Sequence, residues 1–226
     1  AQGRTWTLPS VILQGSFQTA PTPTISSNGT LFRAMEESGR IAPNGSATIG
    51  AFVMWAGGSS DLLKAESWTR SSALTAPTNP VDFGGPDNTW QEGNVVEAPS
   101  GELWNVLRVN SQSAAWYNKA AVVALDQGSR TMRFKQWVDG PFGTSKFAVR
   151  RDASARDYAL STNVTPEAAK LGCCWNGPGD CRYNLVLSTS DDLLHWRVCR
   201  TLLHDDTGLS VADTCKYTGF EYPDWE

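Results

Sequence analysis

The sequence predicts an all-β fold, a β-propeller of four-stranded antiparallel blades. Three observations lead there. The first is the segment Gln91 to Asn110, QEGNVVEAPSGELWNVLRVN. Two β-rich runs, Val95-Val96 and Leu103 to Leu107, flank a Pro/Gly/Ser turn at Ala98 to Glu102, which reads as a hairpin. The second is a recurring pattern of a strand, a Ser/Asp-Leu turn and a Trp-led strand. It occurs as SSDLLKAESW around Asp61 and as TSDDLLHW around Asp192, with a weaker version at Asp126-Gln127-Gly128 before Phe134. The third is composition. Ten Trp with 20 Gly and 12 Pro suit a turn-rich protein whose large aromatics pack between sheets.

The units then follow in chain order. The first has inner strands near Thr22–Ile25 and Leu31–Met35 and outer strands at Ala51–Trp55 and Trp68–Leu74. The second has Val95–Glu97, Leu103–Val109, Ala120–Leu125 and Arg133–Val138. The third has Phe147–Arg150, Tyr158–Ser161, Asn184–Ser188 and Trp196–Leu203. Residues 1–226 thus form one domain with blades at about 17–75, 91–139 and 145–204 and the start of another at Gly219. Four antiparallel strands per unit, repeated, mark a propeller, but three and a fraction blades do not close a ring. The sequence therefore covers part of the ring. The remainder comes from residues beyond it or from a second chain, because an open ring leaves bare strand edges. The segment Trp6 to Leu13 is expected as an outer strand.

A net charge of −4 with no basic block argues against nucleic acid. No apolar run is long enough to span a bilayer. The five Cys, at 173, 174, 181, 199 and 215, lack zinc-site spacing. They read as disulfides of a secreted, extracellular protein with one thiol left over. Sequons at Asn28, Asn44 and Asn163 fit a glycoprotein. No motif requires a cofactor, and a structural calcium ion in the axis is compatible with the pattern.

One face of a propeller displays the entry of each innermost strand and the exit of the next. That rule selects Gln18, Thr19, Arg33, Glu36 and Glu37 from the first unit and Glu92, Asn94, Arg108 and Asn110 from the second. It selects Lys146, Arg150 and Asn163 from the third, and Tyr217, Glu221 and Tyr222 from the fourth. Trp90, beside the hairpin, is placed to stack on a sugar ring. The rim mixes guanidinium groups with aromatics and suits an anionic sugar, since Arg pairs bidentately with carboxylate. The competing reading is structural: Arg108 and Glu92 pair with each other, and Arg33 beside Glu36 and Glu37 is a solvated strand end.

The runs TAPTPTISSNGTLFRAMEE, EGNVVEAPSGELWNVLRVN, KFAVRRDASARDYALSTN, RYNLVLSTSDDLLHW and GFEYPDW together resemble sialidase-like β-propeller proteins of the polysaccharide-lyase kind. Among these, the fungal L-rhamnose-α-1,4-D-glucuronate lyases are most similar. The resemblance implies an exo-acting lyase that takes rhamnose from an anionic plant polysaccharide by β-elimination. Arg108, with Asn94 or Asn110, would neutralise the uronate; Lys146, Tyr217 and Tyr222 are the acid/base candidates. Arg33, Glu92, Arg150 and Trp90 would line the substrate. The sequence departs from this pattern at Phe17-Gln18-Thr19-Ala20-Pro21, where members carry His before the Ala-Pro. Two other readings stand beside the lyase: a sialidase-like or other glycoside hydrolase, and a non-catalytic sugar-binding propeller.

Overall fold

A computed structural model describes residues 5–41, 45, 47–77, 89–111, 114–152, 157–162, 165 and 181–225. Three antiparallel sheets stack side by side. In the first, β1 (Phe17–Gln18) and β2 (Ile25–Ser27) both pair with β3 (Thr30–Ile41). β3 pairs with β4 (Ala47–Gly57), and β4 carries β5 (Trp68–Arg70) and β6 (Leu74–Thr75). The innermost and outermost strands are each broken in two, so the sheet is four strands wide. The second sheet runs in order from β7 (Thr89–Glu97) through β8 (Leu103–Asn110) and β9 (Lys119–Asp126) to β10 (Thr131–Asp139). The third runs from β11 (Ala148–Arg151) through β12 (Asp157–Thr162) and β13 (Asn184–Ser190) to β14 (Arg197–His204). One helix, α1 (Val211–Tyr217), follows; Ser210 caps it by accepting from the Asp213 N–H.

Packing follows from the strand alternation. Side chains two apart share a face. Phe32 and Ala34 of β3 meet Val95, Leu103, Leu107 and Val123 of the second sheet in one core. Trp104, Val106 and Val122, on the opposite face of that sheet, meet Phe147, Val149 and Ala159 of the third. The middle sheet is covered on both faces, so β8 is buried from Leu103 to Val109 and reads as a nearly continuous apolar run. Cys181 is disulfide-bonded to Cys215 and ties the start of β13 to α1; Cys199 is free and exposed.

The recurring Asp-Leu-Leu…Trp pattern forms one turn twice. Asp61 accepts from the Leu63 N–H at 3.1 Å, and Asp192 accepts from the Leu194 and His195 N–H groups at 2.8 Å. The Trp68 indole donates to the Leu62 carbonyl and the Trp196 indole to the Leu193 carbonyl, each at 3.0 Å. Leu62 and Leu193 hold the same place in the two repeats, so the pattern is an element of folding.

Two expected strands are not formed. Trp6 to Leu13 contains no strand. Nor does Gly219 to Trp225, expected to open a fourth blade; Tyr222 adopts φ 49° there. Pro223 lacks the N–H that a ladder needs, and cationic side chains of the third sheet hold the segment instead. Asn44, Asn163, Cys173 and Cys174 lie outside the described residues. Among the described residues, no helix is long and apolar enough to cross a membrane.

The β7–β8 ladder slips between Gln91 and Asn94, a bulge in which Glu92 and Gly93 together face Leu107 alone, one residue more than the partner strand. Glu92 takes φ 54°, strained for a residue with a side chain. Gly93 is required by space: a Cβ there would fall 2.1 Å from Asn105 Oδ1. Gly93→Ala is expected to cost roughly 1–3 kcal/mol, read as a lower urea midpoint with an unchanged slope.

Candidate functional site

The bulge opens a cleft of about 450 Å³ between the first and second sheets. Gln18, Thr19, Ala20 and Pro21 form one wall; Gln91, Glu92 and Arg108 form the other, with Glu36 beneath and Tyr222 at the rim. Gln18, the cross-strand partner of Glu36, reaches Gln91 at 3.4 Å.

Glu36 sits in phase with Phe32 and Ala34 on β3, so its carboxyl points where an apolar side chain is expected. It contributes to the cleft floor yet exposes none of its surface. Oε1 accepts from the Gly93 N–H at 3.2 Å, while Oε2 has no partner among the described residues. Burial pushes its pKa from 4.5 up to about 7; the Gly93 N–H works against the rise, the Glu92 charge adds to it, and the Glu92 N–H and Arg33 work against it.

Glu92 and Arg108 form an ion pair at 2.7 Å with each side chain 9% exposed. The guanidinium also donates from Nε to the Thr144 carbonyl and from Nη2 to Asn110 Oδ1 at 3.4 Å. A buried pair of this kind satisfies its partners without leaving charge to offer. Lys146 donates to the Pro223 carbonyl at 2.6 Å. Burial lowers the pKa of Lys146, while Asp224 and Glu92 pull it back.

The structure therefore brings Glu36, Glu92, Arg108 and Tyr222 to one cleft, with Asn110 behind it on the Arg108 guanidinium and Lys146 close to Glu92. Other candidates are used elsewhere. Asn94 is fully buried and bridges two blades: it donates to the Phe147 carbonyl at 3.2 Å and accepts from the Val149 N–H at 3.0 Å. Trp90 has no exposed surface to stack on a sugar. It packs on Phe134 and Trp137, and its indole donates to the Leu74 carbonyl. Arg33 holds the 19–24 loop through the carbonyls of Thr22 and Ala20. Arg150 is held by Asp224 in a two-pronged contact at 3.1 and 3.3 Å. Tyr217 projects from the end of α1, 66% exposed and beside Lys216, and is not among the cleft residues. The three guanidinium groups expected to clamp a sugar acid are thus engaged by the protein itself.

Sequence reasoning selected Glu36 only as a rim residue. The signal that identifies it is its phase: a carboxylate two residues beyond Ala34 continues the buried face of β3. For the calcium ion considered from sequence, no group of three or more His, Cys, Asp or Glu is placed to hold a metal among the described residues, and no step below involves one.

No protein-family model and no curated protein matches the chain. Solved structures do. A Bifidobacterium bifidum S17 protein provisionally named an exo-β-1,3-galactanase superposes with TM-score 0.50 at 12% identity over 88% of this chain and 55% of its own. The fold is a β-propeller. An exo-β-1,3-galactanase of Phanerochaete chrysosporium, solved with β-1,3-galactotriose, gives TM-score 0.47 at 12% identity over 82% of this chain and 38% of its own. An α-L-arabinofuranosidase of Clostridium thermocellum gives 0.47 at 10% identity over 81% and 51%. At these identities the likeness concerns the fold alone. The chain spans about half the length of the first of these structures, or less than that for the galactanase of P. chrysosporium.

Proposed function

We propose that this propeller is a carbohydrate-active enzyme that hydrolyses a glycosidic bond in the cleft between its first two blades. The observation that carries the reading is a pair of carboxyl groups in unlike settings. Glu36 is buried, with a pKa raised to about 7, and so keeps its proton in a large share of molecules at neutral pH. Glu92, one residue from the N–H that Glu36 accepts, is held against Arg108. Two carboxyl groups whose surroundings separate their roles are what glycoside hydrolysis needs.

In this reading the Glu36 carboxyl donates its proton to the glycosidic oxygen as the bond to the anomeric carbon breaks. A water adds to that carbon and yields its proton to the Glu92 carboxylate. Arg108 keeps Glu92 oriented, and Tyr222 covers a face of the ring at the rim. Substrate entry displaces Gln18 from Gln91, which brings the leaving oxygen over Glu36. A neutral sugar fits better than a sugar acid, because Arg33, Arg108 and Arg150 are each already engaged by the protein.

One observation favours the β-elimination reading instead. Lys146 has a lowered pKa beside Glu92, which suits a base. Elimination also needs an unpaired cation on the uronate, and Arg108 is neutralised by Glu92.

Product chemistry separates the two. The protein is incubated with gum arabic and with β-1,3-galacto-oligosaccharides. New reducing ends without ultraviolet absorbance are expected. Unsaturated uronate absorbance would refute hydrolysis, and saturable binding with no product would leave a sugar-binding module.

A further inference from the structure

Asn105 occupies an unexpected place. It lies on β8 between Leu103 and Leu107, on the face packed against the first blade, where both neighbours belong to the apolar core. Its side chain is fully buried, and neither Oδ1 nor Nδ2 has a hydrogen-bond partner among the described residues. An amide left in that state costs about 1–3 kcal/mol relative to a satisfied one. Leucine, with the same count and branching of side-chain heavy atoms, would carry no such cost.

A second buried group shares the condition. Among the described residues Glu36 Oε2 has no hydrogen-bond partner, and it lies on the same side of the middle sheet. Gly93 joins the two. Its N–H donates to Glu36 Oε1 at 3.2 Å, and the position its Cβ would occupy is 2.1 Å from Asn105 Oδ1. The missing side chain thus leaves the amide and the carboxyl on either side of one bare backbone unit. Three polar atoms without a partner among the described residues, the donor Nδ2 and the acceptors Oδ1 and Oε2, thus belong to two side chains that both approach Gly93. Buried polar groups in folded proteins find partners, and where protein supplies none, an internal water commonly does.

We propose that Asn105 is a positioning residue for Glu36, its amide and Glu36 Oε2 joined through one internal water held beside Gly93. The water gives Oε2 a partner that the described residues do not supply and fixes which way the carboxyl faces. Oε1 stays on the Gly93 N–H, so both oxygens are held and the carboxyl plane is fixed. The same water solvates the ionised form, so it limits how far burial raises the proton affinity of Glu36. The inference rests on Glu36 being the proton donor, but its test reads Glu36 directly rather than through catalysis.

The experiment is a carbon-13 NMR titration of the full chain carrying labelled glutamate side-chain carboxyls. Glu36 is assigned by its absence in Glu36→Gln. In the unsubstituted protein Glu36 is expected to titrate near neutrality. Asn105→Leu replaces the amide with an apolar group of the same branching, and the midpoint is expected to move up by roughly one pH unit. Asn105→Ser, which keeps a hydroxyl and leaves space for water, is expected to return it close to the original value. An unmoved midpoint in Asn105→Leu, with a raised thermal transition, would make Asn105 a packing defect and overturn the proposal. Should Asn105→Leu not fold, the unsubstituted protein decides. A magnetisation-transfer peak between the Asn105 amide protons and a long-lived water supports the proposal, and its absence overturns it. If Glu36→Gln were fully active, the donor assignment would fail, while the titration shift would stand or fall on its own.

Discussion

Glu36→Gln is expected to lower the rate of glycosidic cleavage by roughly 10²–10⁴-fold, the range a positioned proton donor contributes. Binding of β-1,3-galacto-oligosaccharide, read by calorimetry, is expected to change little, because the amide keeps the size and the contact to Gly93. The same substitution has a stability signature that needs no substrate. Folding raises the Glu36 pKa from 4.5 to about 7, so the native state holds this proton more tightly than the unfolded chain. The contribution is fully present below about pH 4.5 and is lost as pH rises through about 7. The shift corresponds to roughly 3 kcal/mol at about 1.4 kcal/mol per pH unit. Glu36→Gln cannot lose a proton there, so its denaturation midpoint is expected to gain on the unsubstituted protein between pH 5 and 8. Parallel pH curves for the two proteins would mean that Glu36 is ionised in the native state across that range.

The second large effect concerns Arg108. Its sequence context suggests a substrate clamp, for which truncation leaves the fold intact. The structure implies otherwise. Arg108→Ala strands the Glu92 carboxylate in a site where both side chains are 9% exposed and removes the donors on the Thr144 carbonyl and Asn110. Breaking one partner of a buried pair typically costs about 3–5 kcal/mol, so the variant is expected to unfold at markedly lower urea. The double substitution Arg108→Met with Glu92→Gln removes both charges and is expected to recover much of that loss. An Arg108→Ala protein with unchanged stability and no detectable cleavage would restore the clamp reading.

The strands were legible because their evidence is local. The β7–β8 hairpin announces itself through two β-rich runs about a Pro/Gly turn. The Asp-Leu-Leu turns repeat because each Trp indole must reach the same carbonyl. Where side chains end up across blades was not legible. Trp90 looks like any Trp at the start of a strand; only the stacking of Phe134 and Trp137 on it makes it core. Asn94 gives no sign that its amide spans to Phe147 and Val149, more than fifty residues away. The need for glycine in the bulge at Glu92-Gly93 is hidden for a related reason, since it arises from the side chain of Asn105 across the ladder. The part of the site that could be read was Glu36. Its phase with Phe32 and Ala34 points inward, but the proton affinity that follows depends on a second blade closing over it.

The most direct test of the account is cleavage of gum arabic and β-1,3-galacto-oligosaccharides in water enriched in oxygen-18, with the released sugars weighed by mass spectrometry. Hydrolysis through Glu36 and Glu92 predicts products that carry the heavy oxygen at the new reducing end, formed by the unsubstituted protein and lost in Glu36→Gln. Products free of the label that carry a carbon–carbon double bond would contradict it.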